Sequence, residues 1–525
     1  MVQQQASSAA FVQNVAVKTA LGTDTFQLRS FRFRDRLGEP FEGVLELQSD
    51  ADSIDLGKLL GEPVTVTVPL PGGGKRYFNG IVLEASQEAA AGDTTRYRLV
   101  MGPWLALLNL GSDSQIFQQK SAPDILEKVF RGLEFSAFQR RGLIGQYDPL
   151  EFCVQYNETH ANFVHRLMQR FGIAYHHDHT ADSHTLVLCD SPTSYQSNPG
   201  YATVPYRSDS RTAENLEHVS HWTSTKRLRS GKYAAKDYDY LNPDSDLLVQ
   251  DSATQSCLHG DMELFEYPGG YTKQSLGTTL ARVRIEEQAC GQQRFEGRAH
   301  CWGFAAGKKF QLTDHPQSDC NRAYLTTAIE LSIDPLTDEE TATQRRGDTA
   351  QFTHACRLEA IPADVSFRPA RTAPQPRIAG VQTAVVVGPP GHDRNVPYTD
   401  EHACVRVQFR WDRLGKNDSK SSCWLRHAQP FAGSGWGATF LPLVGCEVVV
   451  AFIGGDPDRP LVLSGVYNER HKPPRDLPEQ AVKTIVQDVA GNFLVFDSQA
   501  SHESITVRTA YRDNFWMIGD CDTTD

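Results

Sequence analysis

Several things are scarce in this sequence, and each scarcity excludes a class. Methionine occurs only 5 times in 525 residues, against 28 prolines and 40 glycines. That balance suits many short strands and turns better than a helical bundle. No stretch approaches the roughly 18–20 consecutive apolar residues that a membrane-spanning helix needs. The N-terminus, Met1-Val-Gln-Gln-Gln-Ala-Ser-Ser8, has neither a basic n-region nor an apolar h-region. Export, if it occurs, is therefore expected without a cleaved signal peptide. Positive charge is not in excess, the net charge being −12, whereas nucleic-acid binders concentrate Lys and Arg to displace counterions from phosphates. No nucleic-acid partner is expected. The 11 cysteines stand singly between Cys153 and Cys521 and form no C-x-x-C pair, so zinc-ribbon spacing is missing. Isolated cysteines in a chain this long read as small buried hydrophobes of a protein that folds in a reducing cytoplasm.

What is present is a soluble composition, 40% hydrophobic and 22% charged, in a chain too long for one core, since single cores stop growing at about 250–300 residues. From about Phe11 to Trp104 the text alternates with period two. Phe26-Gln-Leu-Arg-Ser-Phe-Arg-Phe33, Val64-Thr-Val-Thr-Val68 and Tyr97-Arg-Leu-Val-Met101 are its clearest strands. Between two such runs lies Pro71-Gly-Gly-Gly-Lys75. A phosphate-binding loop needs an earlier glycine where Pro69 stands, and a Ser or Thr where Arg76 stands. This segment is a hairpin loop.

Three helices are expected. Ser121 caps the first, with Asp124 at its third position and Ile125, Val129 and Phe130 on one side. Thr159 caps the second, in which Phe163, Val164, Leu167, Met168 and Phe171 recur at helical spacing before Gly172 supplies a left-handed stop. The third runs near Leu276–Cys290. Pro369, Pro374 and Pro376 then mark a connector. Beyond it, Val405, Val407, Phe409 and Trp411 alternate with Arg406, Gln408 and Arg410. Further strands at 383–387, 423–427, 447–453 and 461–467 make five in about 90 residues, the pattern of a small OB-type barrel. A second proline-bearing connector covers 471–478. Past it, short strands at 492–497 and 503–508, with another near Lys483, cannot bury a core by themselves. They need partners from later sequence or from other chains.

The barrel segment carries a resemblance. Trp411-Asp-Arg413, Ser422-Cys-Trp-Leu-Arg426, Gln429-Pro-Phe-Ala-Gly-Ser-Gly-Trp-Gly437, the run from Leu441 through Asp456-Pro-Asp-Arg-Pro460, and Gly465-Val-Tyr-Asn468 resemble the OB region of VgrG proteins, the spikes of bacterial type VI secretion systems. Upstream, Phe117–Leu126, Val154–Thr159 and Phe171–Tyr175 agree as well, so the resemblance covers nearly the whole chain. It implies a mainly β fold with a few helices (α+β). Residues 1–375 would form a phage-hub-like domain of two related β-barrels with inserted helices. Residues 376–470 would form an OB-fold needle base, and 471–525 a linker and the beginning of a trimeric β-prism or β-helix. It also implies a homotrimer that caps the Hcp hexamer tube and contacts baseplate proteins. A PAAR-repeat tip protein, and effectors or their adaptors, would be carried. Such a spike is assembled in the bacterial cytoplasm and fired into a target cell, touching a membrane only as it punctures it. Structural signature positions are Trp411, Arg413, Trp424, Gly433, Gly435, Trp436, Pro442, Gly445, Asp456, Pro457, Arg459 and Pro460. Residues contacting Hcp leave no compact motif.

His176-His-Asp-His179 on a strand would point His177 and His179 the same way, where imidazoles can bind zinc or copper; a polar strand and hairpin is the plainer reading, and no metal or cofactor is expected. Asp456 and Asp458 resemble an acid/base pair, but prolines and Gly454-Gly455 make a tight turn there. Gly433-Ser-Gly-Trp-Gly437 is no nucleophile elbow, because Ala432 stands where a glycine is required. Trp411, Trp424 and Trp436 could stack bases or sugars, yet barrel core or trimer contact suits them better. A peptidoglycan hydrolase between barrel and prism, as in some phage needles, needs on the order of a hundred residues, and only about fifteen separate Tyr467 from Lys483. The expectation is a structural protein and not an enzyme, with the hub of a phage tail or tailocin as the alternative machine.

Overall fold

In the computed structural model, residues 12–51, 53–71, 73–88, 94–208, 217–253, 257–335 and 351–520 are described. The expectations placed on Met1–Ser8, Phe11, Gly72 and Cys521 lie outside them. The chain divides into two compact units. The first holds residues up to Ser112, then Lys120–Pro149 and Glu158–Gln375; the second holds Asp113–Gln119, Leu150–Asn157 and the chain from Pro376 onward.

The first unit is built on one 13-stranded curled sheet. Its centre is the strand Gln27–Arg36, which pairs antiparallel with Glu42–Ser49 on one side and with Ala323–Pro335 on the other. Period-two alternation sets its two faces: Phe31 and Phe33 are buried while Arg32 and Arg34 face out. The N-terminal half of the sheet packs Phe31 and Phe33 edge-on against Phe78, at 5.2 and 4.8 Å between ring centroids. The later half packs Trp222 and Phe295 on Tyr324, at 4.9 and 4.8 Å. Each such ring contributes roughly 1.5–3 kcal/mol by leaving water, and all of them belong to a single core.

Among the described residues there are three α-helices. Helix α1 spans Ala122–Gly132 with the Ser121 hydroxyl accepting from the Asp124 amide, and α2 spans His160–Phe171 with Thr159 accepting from Asn162. Helix α3, Gln274–Cys290, starts two residues before the expected Leu276. Gly172 ends α2 at φ +67°, and a Cβ there would lie 2.7 Å from Val283 Cγ1 and 2.9 Å from Arg368 Cδ. Both the backbone conformation and the close approach of α3 therefore demand glycine.

The second unit carries a four-stranded antiparallel sheet in the order Arg406–Phe409, Gln382–Val387, Glu447–Phe452, Pro460–Val466. The fifth strand expected at 423–427 is present only as isolated bridges, Val405 to Leu425 and His427 to Val462. The cause is local: the Ser422 hydroxyl accepts from the Val407 amide at 2.9 Å, so a side chain replaces a ladder bond. The core gathers Val386, Val407, Val448, Val450 and Val462. Phe152 and Val154 join them from a segment far upstream. The chain then forms an antiparallel meander of Lys483–Gln487, Phe493–Asp497, Ser504–Thr509 and Asn514–Gly519. Its last strand carries no period-two signal in the sequence, because Asn514-Phe-Trp-Met-Ile-Gly519 has a continuous apolar run instead of alternation.

Gly172→Ala should lower the stability of the first unit by about 1–3 kcal/mol, read as a shift of the urea midpoint in its unfolding. An unchanged midpoint would show that the turn relaxes freely.

Candidate functional site: chemical clusters and an uncovered sheet face

The strand Ala174–His179 pairs antiparallel with His184–Cys189, setting His179 opposite His184. Alternation then divides its polar residues between two faces. On one face His177, His179 and His184 surround Phe41, with ring centroids 6.1–6.5 Å from one another. Both His184 nitrogens are engaged: Nδ1 with Asn79 Oδ1 at 2.8 Å, and Nε2 accepting from the Trp104 amide at 2.8 Å. His179 Nδ1 meets backbone of Asn79. The two His177 nitrogens are buried without a hydrogen-bond partner. His177 and His179 do share a face, as the strand reading required. Among the described residues, however, no group of three or more His, Cys, Asp or Glu is arranged to hold a metal.

Burial, with mutual repulsion, holds these imidazoles neutral. His177 lies well below the ordinary value, His179 is lowered to about 3, and His184, by burial alone, to about 4.

The opposite face presents a line that superficially suits nucleophilic catalysis. Cys189 Sγ is 3.8 Å from His176 Nδ1, and His176 Nε2 is 3.5 Å from Asp178 Oδ1. The electrostatics run the wrong way for it. Burial and Asp190 push the Cys189 thiol up to about 12, and burial lowers His176. An active cysteine needs a thiolate and an accessible sulfur, whereas this one is fully buried. Asp178 is instead tied to Lys308 at 2.7 Å and Arg141 at 3.1 Å.

The signature residues of the second unit have mostly structural places. Trp411 stacks on Phe409 at 4.9 Å and donates Nε1–H to Gln382 Oε1 at 2.8 Å. Trp424 packs on Tyr398 at 5.1 Å beneath the Arg406 guanidinium, 4.5 Å from the ring centroid. Arg413 reaches Asp113 at 2.8 Å. Gly445, at φ +100°, turns the chain after Pro442 into the strand at Glu447, and its amide donates to the Val386 carbonyl. The Asp456-Pro-Asp-Arg-Pro460 turn buries Pro457, and the Arg459 amide closes it on the Asp456 carbonyl at 3.0 Å. Asp456 accepts from the Asp458 amide at 3.0 Å, and Asp458 accepts from the Val154 amide at 2.7 Å. These carboxylates hold backbone together. Trp436 is the exception. It is 63% exposed, opposite Gly433 on a hairpin whose turn contains Gly435.

An uncovered apolar surface lies on the C-terminal meander. Register places Val486, Leu494, Phe496, Ile505, Val507, Trp516 and Ile518 on one face. Of these, Phe496 is 42% and Trp516 62% exposed. The other face carries the charges: Lys483 pairs with Asp497 at 3.2 Å, and Arg508 bonds to Asp513. Sequence had marked the individual strands but not this division, because the division depends on register across four strands.

Comparison with known proteins fits both units. The family model for the phage tail baseplate hub (GPD) matches residues 34–335. That for the type VI secretion system/phage-baseplate injector OB domain matches 395–467. The Pseudomonas aeruginosa type VI secretion system spike protein VgrG1c is 38% identical over 470 residues, 90% of this chain and 64% of the relative. VgrG1a of the same organism is 37% identical, over 90% of this chain and 72% of its own length. The chain thus spans under two thirds of VgrG1c and of VgrG1b, at 64% and 62%. Among solved structures, an Escherichia coli component of the type VI secretion system, described as similar to T4 bacteriophage tail proteins gp27 and gp5, superposes with a TM-score of 0.60 at 19% identity, covering 86% of this chain and 99% of that one. A chain of a Francisella PdpA–VgrG complex gives a TM-score of 0.65 at 8% identity, over 98% of this chain and 79% of that one. The fold is accordingly a mainly β hub with an OB-fold domain.

The neutral histidines fix a pH dependence. Free histidines in the unfolded chain take up protons near 6.5 while the buried ones resist, so folded stability is complete above about pH 6.5. It is lost as pH falls toward the folded values of about 4 for His184 and about 3 for His179. Asp35, raised by burial to about 7, opposes this as a single group. His177→Leu should flatten the slope of stability against pH between 6 and 4 by about 1.4 kcal/mol per pH unit. Denaturant titrations at several pH values measure this, and an unchanged slope would mean His177 is protonated in the fold.

Proposed function

The chain belongs to the VgrG family of type VI secretion spike proteins, and from that membership we propose that it is a structural spike which works as a homotrimer and not as an enzyme. Three copies join through the bare face of the C-terminal meander, cap the Hcp tube with their hub units, and rest among the baseplate proteins. The assembly forms in the bacterial cytoplasm and leaves on contraction. It carries a PAAR-repeat tip protein and effectors or their adaptors, and crosses a membrane only by puncture. The PdpA–VgrG complex of Francisella supports the carriage of a partner by this kind of chain.

The observation that carries the reading is the apolar face of Val486, Phe496, Ile505, Val507 and Trp516. A contiguous apolar surface of this kind marks an interaction site. Wrapping three such sheets around an axis buries every copy's face at once and removes free strand edges, which suits a spike that must resist unfolding under load. The absence of a reactive thiolate at Cys189 and the structural use of Asp456 and Asp458 favour a mechanical role over a catalytic one.

Light scattering of the full chain should give a mass near three times 58.4 kDa, and the trimer should co-sediment with Hcp rings. Ile505→Glu with Val507→Glu should return it to the single-chain mass, because paired carboxylates cannot be buried at a shared axis without a large desolvation cost. A wild-type chain that stays single at all concentrations and ignores Hcp would sink this function.

A further inference from the structure

Residues 232–267 of the first unit carry eight carboxylates and two lysines, a net charge of −6 in a chain whose total is −12. They build a three-stranded sheet in the order Val249–Ser252, Lys232–Ala235, Glu263–Glu266. Its base is firm. Tyr233, Ala234, Leu247 and Val249 are buried, and the Tyr271 hydroxyl meets the carbonyls of Ala235 and Leu247 at 2.8 and 2.6 Å. Glu266 anchors the outer strand, accepting from the Tyr233 hydroxyl at 2.6 Å and from Arg371 at 2.9 and 3.0 Å. Yet that strand is bare. Met262, Phe265 and Tyr267 are 62%, 60% and 64% exposed, and Leu258 and Leu264 are exposed as well. The ladder shows which main-chain groups are spare. The Lys232 amide donates to the Met262 carbonyl and the Lys236 amide to the Glu266 carbonyl, with Tyr233 opposite Leu264. Alternate residues of a strand turn their main-chain groups to one side, so those of Glu263 and Phe265 point away from the sheet. Among the described residues no further strand lies on that side.

We propose that the edge Glu263–Glu266 is a docking site where another protein adds a fourth strand, an extended segment whose apolar centre is flanked by Lys or Arg. The inference does not depend on the trimeric reading above. A bare strand edge with apolar side chains is a template for strand addition, in which main-chain bonds give affinity and side chains give selectivity. Charge names the occupant. Both lysines of the module face its own carboxylates, Lys236 at 3.0 Å from Asp246 and Lys232 at 3.9 Å from Asp261. Asp244, Asp261 and Glu263 stand exposed. A second copy of this edge suits it badly: paired antiparallel in register it sets Glu263 against Glu266, and paired parallel it sets each glutamate against itself. Like charges directly opposite destabilise a sheet. Anionic lipid and nucleic acid are repelled by the same surplus. A cationic strand with an apolar centre meets every demand. Its main chain takes up the spare groups of Glu263 and Phe265, its aliphatic side chains cover Leu264 and Phe265, and its cations answer Glu263. Because the edge is already held by Tyr233 and Arg371, little order is lost on docking.

The test follows, by fluorescence anisotropy, a labelled peptide Lys-Lys-Val-Ile-Val-Lys-Lys with both ends blocked, added to the full chain. It should bind wild type, and more weakly as salt rises. A counterpart with Glu for Lys, and a copy N-methylated at alternate amides, should each bind at least tenfold more weakly. Phe265→Pro removes the outward amide and spares the inner ladder, since proline is tolerated on the free side of an edge strand. Glu263→Lys reverses the exposed charge. Each variant should weaken binding at least tenfold with solution mass and melting unchanged; should Phe265→Pro melt early, Glu263→Lys and the methylated peptide decide. A wild type that binds no peptide, or binds all three alike, overturns the proposal. So does a fall in solution mass on Phe265→Pro, which assigns the edge to a second copy. A wild type that binds the peptide as a single chain upholds the docking edge and removes the trimeric reading.

Discussion

A β-sheet has two faces, and the meander at Lys483–Gly519 covers neither fully within its own chain. One face resolves the problem with charge: Lys483 and Asp497 pair across adjacent strands, and Arg508 bonds to Asp513. The other is mostly Val, Leu, Ile, Phe and Trp, in a register that brings Phe496 opposite Ile505 and Val507 opposite Trp516. Cross-strand aliphatic and aromatic pairs stabilise a sheet, but they do not remove its outer surface from water. At about 25 cal/mol for each Å² of apolar area, leaving such a face bare forfeits several kcal/mol, comparable with the whole stability of a small domain. This unmet burial favours covering the face with a second apolar surface. It also explains how a barrel of short strands can be followed by a sheet that could not fold alone.

The first unit lives under the opposite constraint. Its problem is polar groups taken inside. His177, His179 and His184 occupy positions where an aliphatic core would serve packing equally well, and their burial is tolerable because they remain neutral. Asn79 serves His179 through its backbone and His184 through its side chain. This network fastens the strand after α2 to the hairpin of the N-terminal half of the sheet. Arg368 does a similar service nearby, donating to the carbonyls of Gly172 and Asp190 at 2.8 Å each and to Glu286 at 2.7 Å. Polar side chains here replace loops as connectors between elements.

How much of this could be read beforehand depended on the range of the interaction. Caps are local, so Ser121, Thr159 and Gly172 bounded two helices from sequence alone. Alternation is local too, and located the strands at 27–36, 382–387, 447–452 and 460–466. The strand expected at 423–427 failed because Ser422 offers its hydroxyl to the Val407 amide, a contact fixed by folding and invisible to periodicity. Phe152 and Val154 read as ordinary strand residues, and nothing near them indicates that they finish the core of a unit lying more than two hundred residues later. Trp411, Trp424 and Trp436 look alike as letters. Two became packing elements and one was left in water, a distinction made by the glycines around the third.

The same distinction between local pattern and assembled environment separates this site from a catalytic one. Cys189, His176 and Asp178 stand in the order nucleophile, base and orienting acid, at spacings an enzyme could tighten. Environment decides against it: a thiol sealed among Leu37, Ala174, Val187 and Tyr195 gains no stabilisation of negative charge, and the acid is occupied by Lys308 and Arg141. Conversely, the hairpin at Phe431–Phe440 carries exposed rings and no titratable group. An ordered aromatic surface loses little conformational freedom on being covered, so each ring buried against a neighbour contributes nearly its full hydrophobic gain.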